Sequence, residues 1–139
     1  DAEHEEKEVP VFRAVKRWLD CYFSGKNPGA LPPLHMIGSP FQLTVWRILQ
    51  QISYGETITY GEIAKQVAAK RGLERMSAQA VGGAVGHNPI SIIIPCHRVV
   101  GATGSLTGYA GGIEKKVQLL SLEGVDMEKL FIPTKGTAL

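Results

Sequence analysis

Ser77-Ala78-Gln79-Ala80-Val81-Gly82-Gly83-Ala84-Val85-Gly86 is the stretch that decides the fold. Ser77 is a helix N-cap residue, and the spacing after it predicts a helix over 78–86 with Val81, Ala84 and Val85 inward. The opposite side carries Gln79, Gly82, Gly83 and Gly86, spaced i, i+3, i+4, i+7. Each glycine costs a helix roughly 1 kcal/mol against alanine, so a face made of them needs a reason. One reason is close packing against another helix, and the other is close approach by something large from outside. Two capped helices lead into this one. Ser39-Pro40-Phe41-Gln42 offers a capping box with proline at the first helical position, and Phe41, Val45, Ile48, Leu49 and Ile52 share one face. Gly55 breaks that helix before Glu56-Thr57-Ile58. Thr59-Tyr60-Gly61-Glu62 then opens a second capped helix, with Ile63, Ala64 and Val67 inward and Gly72 at its end. Capped helices followed by one poor in side chains suggest a helix-turn-helix whose last helix meets DNA. The minor groove, about 6 Å wide, explains small residues better than the major groove does.

Downstream, Asn88-Pro89 makes a turn and Ile92-Ile93-Ile94 reads as a short strand halted by Pro95. Cys96-His97-Arg98-Val99-Val100 follows, then a glycine-rich loop from Gly101 to Gly112. A last helix is expected from Ile113 to Glu123, with Ile113, Val117 and Leu120 buried and Gly124 in a left-handed cap. Upstream, Val11, Phe12, Val15, Trp18, Leu19, Tyr22 and Phe23 predict an amphipathic helix over 10–23, after an acidic start at 1–8 without structure. Ser24 to Gly29 stops that helix, and Pro32-Pro33 continues a linker to about residue 38. Residues 1–38 and 39–139 are therefore expected to be separate parts.

An apolar fraction of 44% and a charged fraction of 20% in 139 residues are those of an ordinary globular chain. No apolar run approaches membrane-spanning length, and nothing at the start resembles a signal peptide. Cys21 and Cys96 form no CxxC pair and the histidines are not spaced to help, so no metal or other cofactor is expected. Both thiols read as free in a reducing cytoplasm. The net charge of +2 is unevenly placed: residues 1–40 carry five basic against six acidic residues, leaving ten against seven for 41–139. Composition permits a nucleic-acid partner without establishing one.

A lone cysteine is more often a small buried hydrophobe than a nucleophile. Cys96 differs, because Pro95 sets it at an element end beside His97 and Arg98. Basic neighbours lower a thiol's pKa and populate the reactive thiolate. A water can carry the proton between Cys96 and His97, with a carboxylate fixing the far imidazole nitrogen. Glu123 is the candidate carboxylate, since an acid in the last turn of a helix faces the negative end of its dipole at a cost of about 0.3–1 kcal/mol. Asn88 is either a plain turn residue or a lock between the glycine-faced helix and the Cys96 segment.

These residues resemble a known family. Ala80-Val81-Gly82-Gly83-Ala84, Asn88-Pro89, Ile94-Pro95-Cys96-His97-Arg98-Val99-Val100, Gly108-Tyr109-Ala110-Gly111-Gly112 and Leu122-Glu123-Gly124 are similar to the O6-alkylguanine-DNA alkyltransferases, also called methylated-DNA–protein-cysteine methyltransferases. The resemblance covers residues 39–125. It implies a mainly α fold with a short strand, a winged-helix-like helix-turn-helix C-terminal domain. Residues 1–38 would be the closing helix and linker of a truncated N-terminal α/β domain. It implies single-turnover DNA repair in the cytoplasm by a monomer without a cofactor, with O6-alkylguanine and possible O4-alkylthymine in double-stranded DNA as substrates. Cys96 resembles the alkyl acceptor, His97 the water-mediated base, Glu123 its orienting carboxylate and Asn88 the hinge asparagine. Tyr60 is similar to the tyrosine that donates to the guanine ring and helps turn the nucleotide out. Val99, Tyr109 and Ala110 match the substrate pocket wall, and Ser77, Ala78, Gln79, Ala80 and Gly82 match the DNA-binding face. The family's usual intercalating arginine is Gln79 here, with Arg75 near enough to compensate.

Three other readings compete. A non-enzymatic alkyltransferase-like binder of alkylated DNA would lack the acceptor cysteine, which is present. A helix-turn-helix regulator would carry a second module, and none is visible. A cysteine hydrolase using Cys96 and His97 would need an oxyanion hole, which the sequence does not suggest.

Overall fold

The computed structural model describes residues 2–30, 36–90, 92–106, 109 and 112–132, with side chains from Arg13 onward. The chain divides into two compact units, Asp1–Met36 and Ile37–Leu139. The first contains α1, Ala2–Phe23, ended by Gly25 at φ 85°. That helix begins eight residues before the expected start at Pro10. The extra turns lack apolar periodicity, but Ala, Glu and Lys are strong helix formers, and acidic side chains suit a helix N-terminus. Trp18 and Tyr22 stack along α1 with ring centroids 5.6 Å apart.

The second unit follows the expected order of helices. α2 spans Pro40–Gln50, and both halves of its capping box are formed: Ser39 Oγ accepts from Gln42 N–H at 3.1 Å and Gln42 Oε1 from Ser39 N–H at 3.0 Å. α3 spans Tyr60–Arg71, opened by Thr59 Oγ1 accepting from Glu62 N–H at 3.1 Å and closed by Gly72 at φ 66°. α4 spans Ala78–Gly86, with Ser77 Oγ accepting from the Gln79 and Ala80 amides. α2, α3 and α4 pack on one another through Val45, Trp46, Leu49, Ile63, Val67, Val81 and Val85, all buried. Trp46 Nε1 donates to Ala84 O at 2.9 Å, so even the largest ring in this core has its polar atom satisfied. α5 spans Ile113–Leu122 and ends at Gly124, φ 81°.

The strand is not where it was expected. Ile92-Ile93-Ile94 forms no strand: Ile92 has φ 74°, a costly conformation for a β-branched residue, and only Ile94 makes a bridge. Asn88 turns the chain there, as its Oδ1 accepts from Ile90 N–H at 2.9 Å. The extended backbone comes after the cysteine instead. β2, Val99–Val100, pairs in parallel with β1, Ile58–Thr59, in the register Ile58↔Val99. This two-residue ladder joins the start of α3 to the segment that follows Cys96.

Candidate functional site

Cys96, His97 and Arg98 form one turn of 3-10 helix between Pro95 and β2. Cys96 is 6% exposed and His97 0%. His97 Nε2 lies 2.5 Å from Glu123 Oε2, in the C-cap position of α5. Arg98 Nε donates to Glu123 Oε1 at 2.8 Å and its Nη2 to Oε2 at 3.1 Å, while Nη1 donates to Ile52 O at 2.8 Å. Gly55 N–H donates to Oε1 as well, at 2.9 Å. Gly55 sits at φ 83°, where an added Cβ would also come 3.2 Å from Glu123 O, so glycine is required there. Glu123 is thus an ion-pair hub that fixes the ring of His97, the fork of Arg98 and the loop before β1. Burial holds the His97 imidazole below its ordinary pKa, although Glu123 pulls the other way. At neutral pH the ring is therefore a base rather than a cation.

The thiol itself departs from expectation. Its pKa is raised, because burial outweighs the Asn88 hydrogen bond, the Lys116 charge and the local amides, all of which lower it. Arg98 does not act on the thiol as its place in the sequence suggests; its guanidinium is spent on Glu123 and Ile52 O. Cys96 is consequently a protected thiol at rest. Nearby Tyr60, buried at the head of α3, is pushed up to about 12 by burial and by Cys96, so its hydroxyl stays a donor across the physiological range. Asn88 Nδ2 donates to Ile94 O at 2.6 Å and the side chain also bonds the Cys96 sulfur, tying the end of α4 to the thiol.

Of the residues singled out from sequence, the structure brings Cys96, His97, Glu123, Asn88 and Tyr60 together. Ser77, Ala78, Gln79, Ala80 and Gly82 lie on α4, with Ser77, Gln79 and Ala80 exposed and Ala78 and Gly82 half-buried. Val99 is buried in β2 and Tyr109 is half-buried. Ala110, with Gly108 and Gly111, lies outside the described residues. An added Cβ would meet nothing within 4 Å at either Gly83 or Gly86. Packing among the described residues of this unit therefore does not demand those two glycines. Arg98 as the clamp on Glu123 and Lys116 as a buried cation were not identified from sequence. A misplaced acid at a helix C-terminus was the available signal for Arg98, and none pointed to Lys116. Among the described residues no group of three or more His, Cys, Asp or Glu is arranged to hold a metal.

Residues 40–125 match the family model described as 6-O-methylguanine DNA methyltransferase, DNA binding domain. A methylated-DNA–protein-cysteine methyltransferase of Mycolicibacterium paratuberculosis is 51% identical over 113 residues, 81% of this chain and 66% of that protein. The chain thus spans just under two thirds of that relative's length. Among solved structures, Mycobacterium tuberculosis OGT in complex with DNA superposes with a TM-score of 0.71 and 46% identity, covering 86% of this chain and 69% of that one. More distant is S. pombe Atl1 in complex with damaged DNA containing O6-carboxymethylguanine, at 26% identity and a TM-score of 0.52, covering 70% of this chain and 100% of that one. With the family model matched from the start of α2 to beyond α5, the chain belongs to the 6-O-methylguanine DNA methyltransferase family.

Proposed function

We propose that Cys96 takes the alkyl group from O6 of a guanine turned out of double-stranded DNA and keeps it, one event per protein. The observation that carries this reading is the buried arrangement around the thiol: an imidazole next to it in the chain, fixed at Nε2 by Glu123, with a phenol and an amide at its other sides. The thiol proton passes through a water to His97 Nδ1, the nitrogen that Glu123 does not engage. The sulfur lone pair forms the S–C bond as the C–O6 bond breaks, and its electron pair returns to the guanine, which Tyr60 stabilises by donating to the ring. The thioether has no leaving path, so the protein is spent. α4 lies against the minor groove, and the nucleotide leaves the stack at a cost of a few kcal/mol, least for a damaged pair. A monomer acting in the cytoplasm completes the reading. O4-alkylthymine is a secondary substrate of the same kind.

Intact-protein mass after mixing with an oligonucleotide containing O6-methylguanine tests it. One added methyl, absent in Cys96→Ala, supports alkyl transfer. Binding of the DNA without a mass gain would instead favour an alkyltransferase-like binder, and many product molecules per protein would exclude the suicide step.

Gln79 is exposed at the start of α4, where it can enter the stack but brings no charge. Gln79→Arg is expected to raise the repair rate on duplex DNA several-fold, with little change on single strands, which need no flipping. Equal rates for the two proteins on duplex would remove residue 79 from the flipping step.

A further inference from the structure

Past α5 the chain makes a second 3-10 turn, Met127–Lys129, opened by Asp126 Oδ1 accepting from Glu128 N–H at 3.1 Å. Side chains three residues apart eclipse in such a turn, so Met127 and Leu130 point the same way. With Val125 they pack against Val100 of β2, Leu106 and Leu120. The backbone then runs beside the loop that leaves β2. Phe131 N–H donates to Gly104 O at 3.0 Å, Leu106 N–H donates to Phe131 O at 2.8 Å, and Ser105 and Phe131 form a parallel bridge. The approach is close enough to dictate a residue. Gly104 lies at φ 93°, and an added Cβ would collide with Lys129 O. Gly72, Gly112 and Gly124 also have positive φ, yet a Cβ there would meet nothing within 4 Å. Gly104 is therefore fixed by the neighbouring chain as well as by its own turn. Phe131 is 46% exposed, so it is the backbone at this position, more than the ring, that the loop uses.

We propose that residues 126–131 form a strap that positions the 101–106 loop, and with it the wall on which the guanine is seated, for transfer to Cys96. This rests on the reading of Cys96 as the acceptor. The loop follows the Cys96 turn and β2, and Val99 and Tyr109, matched to the pocket wall, stand on either side of it. Among the described residues, the strap's backbone hydrogen bonds to other segments go to this loop alone. The strap therefore sets how a base is seated, and not how the thiol ionises or how α4 holds the duplex.

Phe131→Pro removes the amide that donates to Gly104 and changes little else. Leu130, at φ −116° and ψ 154°, already has the conformation that a following proline requires. Phe131→Ala keeps the amide and serves as the control. Single-turnover rates are measured against the concentration of an oligonucleotide containing O6-methylguanine. The proline variant is expected to lose about tenfold in maximal rate, since a misplacement of about 1 Å is enough for such a loss. Its half-saturating DNA concentration should not move, and the alanine variant should match the unmutated protein. Iodoacetamide should cap Cys96 at the same rate in all three. An unchanged maximal rate in Phe131→Pro, an equal loss in Phe131→Ala, or a matching fall in iodoacetamide capping would overturn the proposal. Amide exchange on the unmutated protein gives a check that needs neither DNA nor a variant. The Leu106 and Phe131 amides should exchange slowly and at matched rates, because one opening releases both. Free exchange at either would overturn the proposal equally. No methyl transfer even by the unmutated protein would instead sink the acceptor reading, and the exchange rates would still decide whether the strap holds the loop.

Discussion

Glu123→Ala is expected to lower the free energy of unfolding by about 3–5 kcal/mol, the usual result of stripping one partner from a buried ion pair. Four donor groups lose their acceptor at once: the His97 ring, two nitrogens of Arg98 and the Gly55 amide. Arg98 is left charged and nearly enclosed, keeping its bond to Ile52 O and its place over the Tyr54 ring. Urea titration measures the loss, read from the midpoint at an unchanged slope. Glu123→Gln keeps the volume without the charge and should fall between the two proteins in stability. Its alkyl transfer should still be strongly impaired, because a neutral amide no longer favours a proton arriving on His97. A loss below about 1 kcal/mol for the alanine variant would mean that the network is solvated and contributes little.

The second large effect concerns the face of α4. Gly83→Leu places a bulky side chain where a Cβ meets only open space. The helix should gain roughly 0.5–1 kcal/mol from propensity alone, so the melting temperature stays level or rises. DNA affinity is nevertheless expected to fall tenfold or more, since each 1.4 kcal/mol of lost contact is a factor of ten. Fluorescence anisotropy with a labelled duplex, beside thermal melting, reads both. Leucine tolerated on both counts would show that nothing approaches this face closely. A variant that fails to melt cooperatively would show that the space is needed by the fold.

Most helices of the second unit are legible because their starts are local. Ser39, Thr59 and Ser77 each accept an amide two or three residues ahead, so the caps are written within one turn of sequence. α1 begins early because apolar periodicity is the wrong signal for a segment rich in Glu and Lys. The isoleucine run was misread because three apolar residues carry no period. The true strand needs a partner from the other side of two helices, which no local pattern can announce. In the site, Cys96, His97 and Glu123 were readable as a chemical set, but the sign of the thiol's shift was not. Neighbours in sequence suggest charge, whereas burial is a property of the finished fold. Lys116 was hidden for the same reason: a lysine on an amphipathic helix reads as a solvent-facing residue until packing encloses it.

The pairing of Ile58 with Val99 has a consequence for how this chain tolerates change. The two residues close a ring of chain that holds both α3 and α4, so these helices hang from the cysteine segment as a tethered loop pinned at each end. Closing such a loop costs entropy only as the logarithm of its length, about 0.6 kcal/mol for a full doubling. The turn at 72–77 is mostly exposed, so one or two residues inserted there add little to that cost. The exposed part can therefore drift in length and surface while the clasp, and the cysteine turn it holds, keeps its register.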